Sequence, residues 1–262
     1  MEQNSPSPAP TERFSDRVEN YIRYRPSYPG GVIHTLRSQT GLNSTSWVAD
    51  VGSGTGIFAQ LLLPYCGRVF GVEPNQAMRA SAETRLSGSE NFFSRAGTAE
   101  ATGLEERSIH LVTAAQSFHW FDLPACRREF IRILRPEGFV ALVWNERLVT
   151  ATPFLVEYEA LLQRHAIDYE TVNHTATRDQ ETVATFYGKA GFTIKTFPNE
   201  QRFDFAGLKG RLLSSSYAPN AGHPRHDSMM AALVVLFERH QQCGAVSFLY
   251  TTKLYYGNLA ED

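Results

Sequence analysis

The stretch Val48 to Phe58, VADVGSGTGIF, constrains the fold of this chain more than any other. A short apolar run ends at Val51 and is followed by Gly52, Gly54 and Gly56. Ile57 to Leu63 then carries helix-compatible apolar residues up to the breaker Pro64. Glycine costs backbone entropy wherever it is not needed, so three in five positions point to a turn with unusual dihedrals or to close approach of a ligand. The pattern is strand, glycine turn, helix.

The same alternation continues downstream. Arg68 to Val72 (RVFGV) is a second short apolar strand ending at Glu73-Pro74, followed by a helical stretch with Met78 and Ala82 on one face. Strand, helix and strand within about 25 residues imply a parallel unit with a right-handed crossover. Ile109 to Ala115 and Gly138 to Trp144 read as further strands, with a helix from Pro124 to Leu134 between them. Phe192 to Phe205 and Ala245 to Tyr256 are rich in β-branched and aromatic residues and predict two longer antiparallel strands. The expected class is α/β, a sheet with helices on both faces. The 262 residues are read as one domain, with 1–13 a disordered tail and 14–30, 147–189 and 206–243 forming a lid over the strand ends.

Charge and cysteine content narrow the partners. With 25 basic and 27 acidic residues the chain has no strong field to attract nucleic acid or an anionic membrane. Cys66, Cys126 and Cys243 are odd in number and far apart, which suits buried thiols in a reducing compartment. The start, MEQNSPSPAP, has no cationic or apolar signal, and no apolar run is long enough to cross a bilayer. A cytoplasmic protein, monomeric or homodimeric, is expected.

In open α/β sheets, ligands bind outside the carboxyl ends of the strands. The dinucleotide fingerprint G-x-G-x-x-G would need glycine at position 57, where the chain has Ile57; the match is to G-x-G-x-G. Glu73, ending the second strand, stands where a carboxylate can accept hydrogen bonds from ribose hydroxyls. A nucleoside ligand is implied, with a nicotinamide dinucleotide as the disfavoured alternative.

Asp50-Val51-Gly52-Ser53-Gly54-Thr55-Gly56, then Glu73, then Gly97-Thr98-Ala99-Glu100 resemble the class I S-adenosylmethionine-dependent methyltransferases over roughly positions 20 to 145. The resemblance implies a Rossmann-like, seven-stranded, mostly parallel sheet whose last strand is antiparallel. It also implies S-adenosylmethionine as cofactor and S-adenosylhomocysteine as product. Asp50 with the turn residues Gly52, Ser53, Gly54 and Gly56 would border the methionine part, and Glu73, with Pro74 beside it, would hold the ribose. Thr98, Ala99 and Glu100 would flank the adenine, and Gln116, Ser117 and Phe118 would line the other side. Many relatives carry aspartate at the Thr98 position, which puts a side-chain contact to the adenine amino group in doubt here.

Tyr24-Arg25-Pro26-Ser27-Tyr28-Pro29 and Gln116-Ser117-Phe118-His119-Trp120-Phe121 are similar to a small-molecule branch that includes trans-aconitate methyltransferase-like enzymes. That branch implies a small acceptor without naming it. Tyr21, Arg25 and Tyr28 have two readings, helix-start packing or a clamp on a carboxylate of cofactor or acceptor. His119, set among aromatic residues, is either a core or rim histidine or the base for a hydroxyl, amine or carbon-acid acceptor, whereas a carboxylate acceptor needs none. His223 and His226 lack cysteine or carboxylate partners at ligand spacing, so a solvated loop and no metal are expected. Alternatives to a methyltransferase are a protein that binds S-adenosylmethionine without transferring its methyl group, and an NAD-dependent oxidoreductase.

Overall fold

The computed structural model describes residues 23–167, 169 and 180–259; the predicted tail over 1–13 and Tyr21 lie outside the described residues. Seven strands form one sheet in the order β3-β2-β1-β4-β5-β7-β6. They are β1 (Trp47–Val51), β2 (Arg68–Val72), β3 (Phe92–Arg95), β4 (Ile109–Ala115), β5 (Leu134–Arg147), β6 (Thr193–Phe203) and β7 (Val246–Asn258). The pairs from β3 through β5 are parallel, and β7 runs antiparallel to both of its neighbours, β5 and β6. The expected reversed last strand is therefore present; β6 lies within its predicted range, and β7 runs two residues past its predicted end at Tyr256.

Helices cover both faces: α1 (Gly30–Thr40), α2 (Ile57–Leu62), α3 (Gln76–Arg85), α4 (Leu123–Ile133), α5 (Pro153–His165), α6 (Gln180–Tyr187), α7 (Phe205–Leu213) and α8 (His226–His240). Alternation along the buried strands decides which side chain meets which layer. On β1, Val48 joins Val32, Leu36, Phe58 and Leu62 on one face, whereas Ala49 and Val51 join Phe130, Ile133 and Phe186 on the other. Capping fixes the helix starts: Asn75 accepts from the Met78 N–H at 3.0 Å, and Asp122 from the Ala125 N–H at 3.1 Å.

A third cluster lies beyond the sheet layers. Leu155 and Leu162 of α5, Leu212 of α7, Leu233 of α8 and Phe248 of β7 are all fully buried together. Tyr158 meets Phe248 edge-on at 4.9 Å between ring centroids.

Three features depart from the sequence reading. β3 was not anticipated, and β5 begins four residues earlier than Gly138 and ends three later than Trp144. Helix α6, at the end of the predicted lid segment 147–189, lies on the sheet: Tyr187 is fully buried and donates its hydroxyl to the Val140 carbonyl at 3.0 Å.

Candidate active site

The glycine turn between β1 and α2 has Gly52, Gly54 and Gly56 at φ of +66°, +55° and +76°, left-handed values that disfavour any residue with a Cβ. Space adds a second constraint. A Cβ at Gly52 would stand 2.4 Å from Ser117 Cβ, and one at Gly56 would stand 2.8 Å from Leu86 Cδ1. At Gly54 nothing lies within 4 Å. Gly56 thus serves packing against α3 and the residue after it, whereas Gly54 faces open space. The turn is tied to β2 by the Gly52 N–H, which donates to the Val72 carbonyl at 2.8 Å.

Glu73 follows β2 directly and is 8% exposed. Its Oε2 accepts from the Gly54 N–H at 3.0 Å, and its Oε1 accepts from the Asn75 N–H at 2.9 Å. Burial nevertheless raises its pKa above the ordinary carboxylate value. Asp50, in β1, accepts from the Thr113 hydroxyl at 2.8 Å through Oδ1, while Oδ2 is buried without a hydrogen-bond partner. Burial pushes the Asp50 carboxyl up to about 7, with the Thr113 hydroxyl and the Ala59 backbone N–H opposing the shift and Glu73 adding to it.

After β4 the chain turns sharply at Gln116, whose φ of +60° is unusual for a residue with a Cβ. Its N–H donates to the Val143 carbonyl and its Nε2 to the Asn145 carbonyl, holding it against β5. Ser117 donates to the Val51 carbonyl at 2.8 Å, locking this turn onto the glycine turn. The next three residues form a 3-10 turn that sends Phe118 into the core against Trp144 and Phe186, while His119 and Trp120 line the cavity. In the Thr98–Glu100 segment, Ala99 is buried, and Glu100 accepts from the Asp122 N–H at 2.9 Å.

These strand ends open into a cavity of about 720 Å³, inside the usual range of ~300–1,000 Å³ for small-molecule sites. Asp50, Gly52, Ser53, Gly54, Glu73, Pro74, Thr98, Ala99, Glu100, Gln116, Ser117, His119 and Arg25 all line it. Two predicted site residues do not: Gly56, turned toward α3, and Phe118, fully buried in the core.

The roof over one side is the Tyr24–Pro29 segment. Arg25 Nη2 donates to the Ser214 carbonyl at 3.0 Å, and Tyr24 lies over Gly210 of α7, where even a Cβ would collide with its ring. Asn145, buried at the end of β5, donates to the Ser27 carbonyl and accepts from Thr252 and Asn199. Tyr28 packs edge-on against Phe58 at 4.9 Å.

Sequence reasoning missed the wall opposite the glycine turn. Arg147 ends β5 and is ion-paired to Glu159 of α5, and both are hydrogen-bonded to the Tyr169 hydroxyl. Arg211 of α7 is 7% exposed; its Nη1 donates to Ser215 Oγ at 3.2 Å, and Tyr250 is a further hydrogen-bond partner. Arg147 Nη1 and Arg211 Nε are buried without partners. Tyr217 lies among these groups. Burial would raise its phenol, but Arg211 and Arg147 outweigh burial, with a smaller pull from Arg25, and hold it below the ordinary tyrosine value. The polar run Asn145-Glu146-Arg147 at the carboxyl end of a strand was the available signal for part of this wall.

Residues 49–142 match the family described as a methyltransferase domain. The chain is 31% identical over 156 residues to an uncharacterized methyltransferase-like protein of Schizosaccharomyces pombe, covering 59% of each. It is 31% identical over 151 residues to a putative methyltransferase of Dictyostelium discoideum, covering 56% of this chain and 55% of that protein. The matches thus span less than two thirds of the length of these curated relatives. Among solved structures, a putative type II methyltransferase from Anaeromyxobacter dehalogenans superposes with a TM-score of 0.62 at 22% identity, over 91% of this chain and 100% of that one. A phosphoethanolamine N-methyltransferase of Haemonchus contortus, solved with S-adenosylhomocysteine, gives a TM-score of 0.56 at 14% identity, over 96% of this chain and 58% of that one. At these identities the structural likeness is one of fold.

Proposed function

We propose that this chain, whose residues 49–142 match the methyltransferase-domain family, binds S-adenosylmethionine and moves its methyl group to a small-molecule acceptor on a carboxylate or hydroxyl oxygen. The observation that carries this reading is the convergence of the glycine turn and the Glu73 carboxylate on one cavity wall, with open space at Gly54. The residues fit the cofactor: the Asp50 carboxylate is buried on the cavity, bonded to the Thr113 hydroxyl at Oδ1 with the Ala59 N–H near it, and Oδ2 could still accept from a cationic amino group. Asp50 and the turn would hold the methionine part, Glu73 the ribose, and Thr98 to Glu100 the adenine. When bound, the cofactor supplies a methyl group already activated on a sulfonium.

The protein then has to align the acceptor and exclude water. The Tyr24–Pro29 roof and the wall from β5, α5 and α7 enclose the half of the cavity away from Glu73 and would select the acceptor. A carboxylate needs no base at neutral pH, whereas a hydroxyl would give its proton to His119. A cytoplasmic setting fits the thiol content, and a monomer or homodimer suffices for a site built from one chain.

Calorimetry with S-adenosylhomocysteine, followed by transfer of a labelled methyl group across an acceptor panel, tests the proposal. Cofactor binding and labelled product are expected. Binding without transfer to any acceptor would favour a non-transferase, and preferential NAD binding would overturn the donor assignment.

A further inference from the structure

Resting on that reading, we propose that Glu129 of α4, with Arg132 beside it, is a positioning residue for the cofactor: through Thr102 it fixes the turn that carries Thr98, Ala99 and Glu100, and so sets how strongly the cavity prefers adenine to another purine.

The need for such a residue lies in the chain between β3 and β4. Residues 96–108 form neither helix nor strand, yet Thr98, Ala99 and Glu100 are part of the cavity wall. A loop without a ladder keeps a fixed place only if other bonds hold it. Its own bonds give it shape. The Thr98 N–H donates to the Ala101 carbonyl at 3.2 Å, and the Ala101 N–H donates back to the Thr98 carbonyl at 3.3 Å. Gly97 lies beneath this turn, where a Cβ would stand 3.0 Å from both the Ala101 and the Thr102 carbonyl oxygens. These contacts close the turn on itself without tying it to a helix.

Helix α4 supplies the tie. Glu129 is 8% exposed, and Thr102 is fully buried beneath it. Glu129 Oε1 accepts from the Thr102 N–H at 2.9 Å and from the Thr102 hydroxyl at 2.5 Å. Arg132, one turn along the same face, donates Nε to Oε2 at 2.7 Å and Nη2 to Oε1 at 2.8 Å. The same Nη2 donates to the Leu104 carbonyl at 2.8 Å, so the pair grips the loop at two points. A third point lies at the start of the helix, where Glu100 accepts from the Asp122 N–H at 2.9 Å. Burial alone would raise the Glu129 carboxyl, but Arg132 and Thr102 outweigh burial and keep it ionised below the ordinary value.

Holding α4 against this loop does not itself require charge, since apolar side chains of similar volume would do so at least as well. Direction is what the network adds. Each acceptor site is filled by a donor from a known position, so Thr102 has one register against the helix, and the wall at Ala99, three residues back, has one place. A purine edge is told from its analogue by hydrogen bonds that tolerate little displacement, which makes the fixed wall a determinant of base selectivity.

Calorimetry well below the melting temperature of every variant tests this, with S-adenosylhomocysteine and S-inosylhomocysteine as the two probes. The second differs only in carrying a carbonyl oxygen where adenine has its amino group. The wild type should prefer the adenine form by about tenfold or more, and Glu129→Ala or Thr102→Val should reduce that preference to within about threefold. Thr102→Ser keeps both bonds to Glu129 and should retain it. Tyr187→Phe, which removes a buried hydrogen bond elsewhere in the core, should lower the melting temperature and leave the preference unchanged. Should Glu129→Ala not fold, the nearly isosteric Thr102→Val decides. A preference that survives the loss of the Thr102 hydroxyl, or that falls equally in Tyr187→Phe, overturns the positioning role alone, as does a wild type that binds both probes equally. A wild type that binds neither probe overturns the donor assignment and the positioning role together.

Discussion

The Glu73 carboxylate accepts the Gly54 N–H at 3.0 Å, so the side chain that ends β2 also braces the turn that follows β1. Glu73→Ala should therefore weaken S-adenosylhomocysteine binding by about 1.5–3 kcal/mol and also lower the melting temperature of the cofactor-free protein. Calorimetry and thermal denaturation read the two effects separately. Unchanged affinity would remove Glu73 from the cofactor site.

Two neighbouring glycines should respond differently to alanine. At Gly52 the new methyl meets Ser117 Cβ at 2.4 Å and adopts a disfavoured φ, so a stability loss of about 2–5 kcal/mol is expected from overpacking and strain together. At Gly54 only the conformational cost applies, about 1–2 kcal/mol. Denaturant unfolding should rank them in that order, and Gly54→Ala should retain its fold while losing cofactor affinity. Equal stability losses would mean that the Ser117 contact is readily relieved.

Asp50 makes stability depend on pH. Its folded value of about 7 lies above the ordinary aspartate value of 3.8, so the unfolded chain gives up this proton first as pH rises. The contribution is complete below about pH 4 and is lost as pH passes through about 7, at most roughly 4 kcal/mol. Asp50→Asn should flatten that decline and stabilise the cofactor-free protein at pH 8, while binding S-adenosylmethionine less tightly. Unfolding titrations at pH 5 and pH 8 decide it; parallel curves for variant and wild type would contradict the assignment.

His119 separates the two acceptor oxygens. With a carboxylate acceptor, His119→Ala should leave both cofactor affinity and turnover within about threefold. A loss of ~10²-fold or more in kcat at constant cofactor affinity would instead assign a hydroxyl acceptor and a base.

The Asn145 knot should matter to the roof more than to the cofactor. Asn145→Ala removes one of the two bonds to the Ser27 carbonyl and leaves the Thr252 hydroxyl without its acceptor, while Asn199 keeps its 2.8 Å bond to Ser27, costing about 1–3 kcal/mol. Faster proteolysis near Tyr24–Pro29 is expected, with cofactor affinity retained. Cleavage no faster than in wild type would show that the remaining ties, Tyr24 on Gly210, Arg25 on Ser214, Asn199 on Ser27 and Gln201 on Tyr24, hold the roof without Asn145.

The glycine-turn side of the cavity was legible because its signals are local. Gly52, Gly54 and Gly56 sit between an apolar run and a helix, and Glu73 ends the next run, so sequence order and spatial order coincide. Strand β3 was hidden because its four residues, FFSR, form a half-exposed edge with no periodicity to detect. Phe118 was misplaced because a 3-10 turn separates the directions of consecutive side chains, sending one to the core and the next to the cavity. The opposite wall was illegible for a different reason: Arg147, Glu159, Arg211 and Tyr217 are spread over 71 residues, and only the packing of α5 and α7 around Phe248 brings them to one surface. Helix α6 was assigned to the cover because nothing in its eight residues says which side of the sheet Tyr187 will reach.

The reversal of β7 has a consequence for how such a protein can change. Because β7 runs backward, its beginning rather than its end arrives at the ligand edge, and Tyr250 comes opposite Arg147 of β5. Under the proposed reading the donor would be met by β1, β2 and β4 and the acceptor by β5, β7 and the helices before and after β6. Substitutions between residues 145 and 253 would then change the acceptor side of the cavity while leaving Asp50, the glycine turn and Glu73 untouched.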